Sequence, residues 1–512
     1  MDYNNLPKDK FVFAKREGKI ADKKLDTKPV GYLRDAWRRF RKNRSSVAAA
    51  VIILILFLYA LIVPLVSPYK VDDRDGYYKM VLPKSELFSW LGWDGCKEQR
   101  ESQAGYDYYN SIGQEYGSSA VKEIRKTEKD SLTGRMLYTL YVDSYEKVGF
   151  TYVDVTKEEY DALKDYQNRT GIQVIYPMPA NYKTNFVAVT NGANLWYKLA
   201  DETDKSAGET KNHDENGNPI YEADYLMKKN LTYGQYDSLR MDIPGDGEGG
   251  LHVVYAVKNQ TGYHLRVLYK EYYNFVNGHY ATHVFGTNQH GQDIFLCLAF
   301  GARLSFLLAI CVSIINLFIG VIYGSVEGYY GGATDLVMER ITDILDGVPF
   351  IIVATLFQMH LAKKVGPVPA LLFAFVLTGW IGIASRVRTQ FYRFKNQEYV
   401  LAARTLGASD KRLIFRHIFP NAIGTIITGT VLIIPSVVYS ESMLTYLGIV
   451  NLETSGMTSV GTMLSNGQTY MSTDPHILLF PALFISLLMI AFNLFGNGLR
   501  DAFNPSLRGA DE

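Results

Sequence analysis

Few residues of this chain are spaced for covalent or metal chemistry. His279, His283 and His290 are close in sequence, and on a helix the first two would share one face, an arrangement that zinc ligands can use. No cysteine or HExxH accompanies them, and Gly278 and Gly286 predict an irregular segment, so they read first as ordinary polar positions. Cys96, Cys297 and Cys311 are too few for a disulfide framework and lie in no CxxC or Cys/His metal spacing, so Cys96 reads as a free or buried thiol. The nucleophile-elbow pattern GxSxG and the phosphate-cradling glycine loop are both missing. The chain is therefore expected to be non-catalytic, with no cofactor and no metal of its own.

The elements that hold these residues follow from apolar patterning. A composition of 47% hydrophobic and 21% charged residues hides segments of very different character, and a formal net charge of +1 excludes a generally cationic nucleic-acid binder. Residues 47–66 carry no charge over 20 residues, a length that crosses a hydrocarbon layer of roughly 30 Å. Charge-free runs at 304–324, 365–384, 423–439 and 477–496 read the same way, and a shorter one at 347–361 makes six. The short run spans only if its helix continues through Asp346 or its ends are shielded. Pro64, Pro435 and Pro481 inside these runs are tolerable where neighbours re-satisfy the backbone.

Arg34, Arg38, Arg39, Arg41, Lys42 and Arg44 precede the first run and place the N-terminus in the cytoplasm. That run starts too deep in the chain and is too long for a cleaved signal peptide. Six crossings put residues 385–421 inside, with Arg386, Arg388, Arg393, Lys395, Arg404, Lys411, Arg412 and Arg416, and leave the Lys/Arg-free loop 440–476 outside. Lys363 and Lys364 run against this bias. The expected units are a cytoplasmic tail (1–46), a first transmembrane helix (47–66), an extracytoplasmic domain (67–285), a membrane core with helices two to six (286–500) and a cytoplasmic tail (501–512). Glu441 stands at the external end of the fifth run, where a charge is costly unless hydrated or paired. It either faces a pore mouth or lies among lipid headgroups.

The external block, 285 − 66 = 219 residues, is the size of a domain. Residues 137–142 and 173–176 read as strands, and Thr156 with Glu159 fits a capping box opening a helix that ends near Gly171. Residues 251–257 and 263–272 flank a polar, Gly-containing segment suited to a hairpin. Residues 201–218 and 244–250 read as exposed loops. The expectation is an α+β domain.

The most informative segment is cytoplasmic: Glu398-Tyr399-Val400-Leu401-Ala402-Ala403-Arg404-Thr405-Leu406-Gly407-Ala408-Ser409, then a basic stretch and Pro420-Asn421. Physically it is a short helix of good formers ending at a glycine. The small side chains of Ala402 and Ala403 permit close approach by another surface, although a solvated loop fits the same pattern. The segment resembles the EAA loop of ABC-importer membrane subunits, with Ala402, Ala403, Gly407 and Pro420 in the motif's places and Leu401 where the general motif starts with Glu. More narrowly it is similar to the C-type subunit of dipeptide/oligopeptide permeases. Gly286-Thr287-Asn288-Gln289-His290-Gly291-Gln292-Asp293 resembles that branch's GTDxxGRD motif, with Asn288 for Asp and Gln292 for Arg. Gly301-Ala302-Arg303-Leu304-Ser305, Gly328-Tyr329-Tyr330-Gly331-Gly332 with Asp335, and Asn493 to Asp501 with Asn504-Pro505 also fit, the last with Asn replacing Asp twice. The resemblance covers residues 31–70 and 283–508.

It implies a six-helix type I ABC importer permease with an α+β domain inserted between helices 1 and 2, in the cell membrane with both termini cytoplasmic. Such a subunit forms half of a translocation pathway for di- or oligopeptides delivered by an external solute-binding protein. It pairs with a second permease subunit, as a heterodimer, and with two ATPase subunits that carry ATP and Mg. The coupling residues implied are Glu398, Tyr399, Ala402, Ala403, Arg404, Gly407, Ala408 and Ser409, with Arg404 either a salt-bridge partner of the ATPase or a solvated charge. Glu441 is the pathway candidate. Alternatives are the same architecture importing another cargo such as nickel, and a membrane-anchored ligand sensor. The sensor is disfavoured because, beyond the N-terminal tail, residues 385–421 are the longest cytoplasmic piece.

Overall fold

A computed structural model describes residues 32–114, 117–131, 134–176, 178–181, 193–194, 241–242, 251–452 and 458–503. Helix α1 (Tyr32–Lys42) is followed after Asn43 by α2 (Arg44–Val66), whose first turn is capped by the Asn43 side chain accepting from the Ser46 amide at 3.3 Å. Ala36 and Phe40 of α1 are buried with Ala502, against Phe495 and Leu499 near the chain's end. Gly498 is obligatory at this crossing: a Cβ there would fall 1.9 Å from Ser46 Oγ.

The block after α2 is an α+β region of three antiparallel sheets. In the first, β3 (Met136–Asp143) lies between β1 (Cys96–Ser102) and β2 (Val121–Lys129), with α3 (Gln103–Gln114) linking β1 to β2. In the second, β4 (Phe150–Val155), β5 (Ile175–Tyr176) and β9 (Ala256–Lys258) all pair with β10 (Tyr263–Leu268). Helix α4 (Lys157–Thr170) covers this sheet through Tyr160 and Leu163, which are buried with Val155, Ile175, Leu265 and Val267. Its capping box is complete, and Gly171 ends it in the left-handed region at φ 71°. The third sheet orders β6 (Met178–Asn181), β8 (Leu251–Val254) and β7 (Met241–Asp242).

The sequence expectation for 251–272 is half right. The turn at 258–262 joins β9 to β10, with the Asn259 side chain accepting from the amides of Thr261 and Gly262. Residues Leu251–Val254, however, leave for the third sheet, and β10 stops at Leu268 to become α5 (Tyr269–Asn277). Tyr269, Tyr272 and Tyr273 follow the i, i+3, i+4 spacing that puts them on one helical face. Two of those rings meet the buried Tyr78 with centroids 4.9 and 5.5 Å apart. The expected loops 201–218 and 244–250 lie outside the described residues.

Several contacts fasten this region to the membrane core, among them two polar sets. The chain leaving α2 and the chain returning to the core run side by side: Met80 N donates to Asn288 O, Val81 N to Thr287 Oγ1, and Thr287 N to Val81 O, at 3.0–3.1 Å. Lys97 Nζ reaches Asp474 Oδ1 at 2.9 Å and Thr473 O at 2.6 Å.

The core begins with α6 (Ile294–Tyr330), 37 residues long and about 55 Å by its rise, so the expected run 304–324 is only its middle. Asp293 caps it, accepting from the Leu296 amide at 2.7 Å and pairing through its other oxygen with buried His283 at 2.8 Å. Then come α7 (Gly332–Asp346), α8 (Phe350–Val365), α9 (Pro367–Phe394), α10 (Glu398–Thr405), α11 (Asp410–Tyr446), α12 (Val460–Gln468) and α13 (His476–Phe503). Among the described residues, α2, α6, α9, α11 and α13 are each long and apolar enough to cross a membrane. The expected short run at 347–361 is half of a broken element, for α7 and α8 bend by 70°. Pro349 explains the break, since it cannot donate into a continuing helix and biases Val348 away from helical backbone.

Cys96 opens β1 half-buried, and burial followed by the carboxylates of Asp143 and Asp94 pushes its thiol up to about 12. Thiolate is therefore scarce at neutral pH and grows as pH rises. At pH 8, Cys96 should react with a maleimide roughly a thousandfold more slowly than an ordinary exposed cysteine, and its rate should still climb between pH 9 and 10. A rate equal to that of an exposed Glu123→Cys at pH 8 would contradict this environment.

Candidate functional site

Helix α10 carries most of the residues singled out by sequence. Its end is a Schellman motif: Gly407 N donates to Arg404 O at 3.0 Å and Ala408 N to Ala403 O at 3.1 Å, with Gly407 left-handed at φ 82°. A Cβ on Gly407 would meet nothing within 4 Å, so the glycine serves backbone conformation and not close approach within the chain. Ala403 and Ala408 pack on one cluster of buried residues, and the fully buried Val400 is a member of it alongside Tyr329, Phe391, Leu413 and Ile418. Glu398, Tyr399, Leu401, Ala402, Arg404, Leu406 and Ser409 are on the outer side, with Leu406 88% exposed. The helix is thus buried along one side and apolar on part of the other.

Polar contacts fix α10 to the spans. Tyr329, near the end of α6, donates to Asp410 Oδ1 at 2.5 Å and accepts from Arg404 at 3.4 Å. Tyr399 accepts from the Asn421 amide at 3.2 Å. Arg404 therefore has a partner inside the subunit, a third possibility beside the two expected from sequence.

Sequence reasoning passed over Arg388, counting it only as a cytoplasmic charge. Its guanidinium grips Asp335 at 2.5 and 2.7 Å and Glu339 at 2.9 and 3.1 Å, with the buried Glu327 at 3.5 Å. These carboxylates come from α6 and α7 while the arginine is on α9, so one side chain ties three helices together just above α10. Bidentate geometry of this kind is specific to arginine. Lys395 adds a bond to Gly328 O at 3.0 Å. The available signal was Asp335, four residues after Tyr330-Gly331 in the noted glycine motif.

Glu441 corrects the sequence expectation. It is only 1% exposed, enclosed between α6, α11 and α12, and faces neither a pore mouth nor headgroups. Ser305 donates to Oε2 at 2.8 Å, and Thr445 and Ser442 hydroxyls approach at 3.3 and 3.4 Å. A shell of hydroxyls satisfies the carboxylate within the subunit. The histidines likewise separate: His283 holds Asp293, His279 meets the Tyr69 ring edge-on at 5.2 Å, and the His290 amide donates to Asn288 Oδ1.

Comparison with known proteins places the chain in a family. Residues 316–509 match the family described as binding-protein-dependent transport system inner membrane component, and residues 31–83 match the N-terminal TM domain of oligopeptide transport permease C. The oligopeptide transport system permease protein OppC of Bacillus subtilis is 43% identical over 226 residues, 44% of this chain and 72% of that protein. The chain belongs to the C-type oligopeptide and dipeptide permeases. The dipeptide permease protein DppC of the same organism is 41% identical over 229 residues, 44% of this chain and 70% of that protein. A solved inward-facing MetNI methionine ABC transporter matches 41% of this chain and 96% of its own at 16% identity, with a TM-score of 0.34. The permease subunit is a multi-pass helical membrane protein, and residues 84–315 lie outside both family matches.

Gly407→Leu should force a β-carbon into left-handed backbone at about 1–2 kcal/mol and unwind the end of α10. Substrate-stimulated ATP hydrolysis by the reconstituted transporter should fall sharply, while Gly407→Asn, which tolerates that backbone, should retain most of it. Equal stimulation in Gly407→Leu and wild type would remove α10 from the coupling path.

Proposed function

We propose that this permease subunit forms half of the pathway of an ATP-driven importer of di- or oligopeptides, with α10 as the helix on which an ATPase subunit docks. The observation that carries this is the two-sidedness of α10: Val400 and Ala403 are held by the spans, while Tyr399, Leu401, Ala402 and Leu406 present an apolar surface. A monomeric protein gains nothing from such a surface, and a partner that covers it can push on α6 and α9 through Tyr329 and the Arg388 cluster. ATP and Mg belong to the ATPase partners, since the chain carries no phosphate loop. In this reading a second, non-identical permease subunit completes the pathway, and an external binding protein delivers cargo, the latter in line with the family description. The cargo reading draws on the oligopeptide and dipeptide permeases among the relatives.

The proposed topology has six crossings, with the bent pair α7 and α8 serving as one, both termini cytoplasmic and residues 67–285 external as an inserted α+β domain. The basic residues ahead of α2 and in 385–421 support it.

Two measurements test these readings. Leu406→Asp places a charge on the exposed apolar surface without touching the buried side of α10, and should abolish co-purification with the ATPase subunits in mild detergent while leaving membrane insertion unchanged. Retained co-purification would sink the docking assignment. Ser119→Cys in a Cys96→Ser background should react with a membrane-impermeant thiol reagent on intact, wall-stripped cells; labelling only after lysis would reverse the topology.

A further inference from the structure

The faces that membrane helices show to lipid should be apolar, because polar groups in hydrocarbon are costly. One face of this subunit breaks that rule. A cavity of about 340 Å³ opens between α6, α8, α9 and α11, and its walls include Asn316, Thr378, Arg386, Ser436 and Ser440 beside Phe350, Phe375 and Val437. Thr425 and Ser436 of α11 are exposed within the charge-free run 423–439, and Ser385, Arg386 and Thr389 of α9 continue this polar face at the end of the helix that the proposed topology puts on the cytoplasmic side. Lipid is a poor occupant for such a surface.

Arg386 is the charge in the cavity. Its guanidinium donates to the Gly429 carbonyl at 2.9 Å, and among the described residues no carboxylate lies within ion-pair distance. Gly429 makes the room, for a Cβ there would lie 2.6 Å from the Arg386 NH1 atom. A guanidinium bound only to a carbonyl keeps its full charge and most of its donors for an incoming anion. The nearby Arg388 is saturated with carboxylates by contrast. Asn316, from α6, is 1% exposed, donates to Phe375 O at 3.4 Å, and leaves its Oδ1 with no hydrogen-bond partner. A small rotation of that amide presents either an acceptor or a donor to the cavity.

From this arrangement we infer that the cavity is a peptide-contacting wall of the translocation pathway, in which Arg386 receives the C-terminal carboxylate of the passing peptide while Asn316 and Ser440 meet its backbone amides. This rests on the peptide-import reading and adds residues and a ligand group to it. The mixed lining suits a peptide better than an ion or a lipid: one cation for the terminus, hydroxyl and amide groups for the backbone, and aromatic and aliphatic surface for variable side chains. Arg386 binds and does no chemistry.

The test uses the full transporter, with both permease subunits and the ATPases, in liposomes at saturating binding protein. Turnover is compared for one peptide with a free C-terminus and for its C-terminal amide, in wild type, Arg386→Gln and Arg386→Lys. Wild type should favour the free acid. Arg386→Gln should lower that ratio about tenfold, the loss of one charge-assisted contact, and Arg386→Lys should keep part of it. Because the readout is a ratio within each variant, a loss of helix packing that slowed both peptides equally would not mimic it. A ratio unchanged in Arg386→Gln, or a wild type indifferent to the C-terminus, overturns the proposal while leaving peptide import intact. Transport of neither peptide by wild type would instead overturn the cargo reading on which it rests.

Discussion

The grip of Arg388 on its carboxylates is the interaction on which the α10 end of the core depends. Glu327 is 3% exposed at the side chain near the end of α6, and an unpaired carboxylate there would be strongly unfavourable. Arg388 compensates it and at once fixes where α7 leaves α6, through Asp335 and Glu339. The reversal between those helices needs positive φ at both Gly331 and Gly332. With α6, α7 and α9 pinned there, Tyr329 stands where it can hold Asp410 and Arg404, and α10 acquires a rigid seat. Movement of α10 must then be shared by three helices.

Local features were legible in sequence where the physics is local. Thr156 and Glu159 satisfy each other's orphan amides within one turn, and Gly407 ends α10 because only its own backbone conformation matters. Charge-free length found the long spans for the same reason: hydrocarbon thickness acts on each segment alone. The misses needed a partner distant in the chain. β10 gives way to α5 because three tyrosines find Tyr78 and its neighbours, a contact invisible to strand propensity. Arg388 and its carboxylates are separated by 49 to 61 positions, so the loop's positive bias masked their pairing. Glu441 looked exposed because the hydroxyls that enclose it come from other helices or wrap around from its own.

Departures from the family motif are compensated in kind. Asn288 and Gln292 stand where the motif has Asp and Arg, and they form an amide pair at 2.9 Å, with Asn288 Oδ1 still accepting from the amides of His290 and Gln292. A neutral pair keeps the turn's geometry without the two charges, just before α6 begins. Asp293, retained from the motif, still caps α6.

The side-by-side strands at Met80–Val81 and Thr287–Asn288 carry an implication for the origin of the large domain. Because the two chain ends are already zipped together at the membrane surface, everything between them is a closed loop, and the entropy of closing a loop grows only logarithmically with its length. A few residues or two hundred can occupy that position at nearly the same conformational cost to the helices below. Beyond this zip, the block's further ties to the core, such as Lys97 to Asp474 and Trp93 to Phe480, are made by side chains of the block, so the cost of closing the loop does not fall on the helices below.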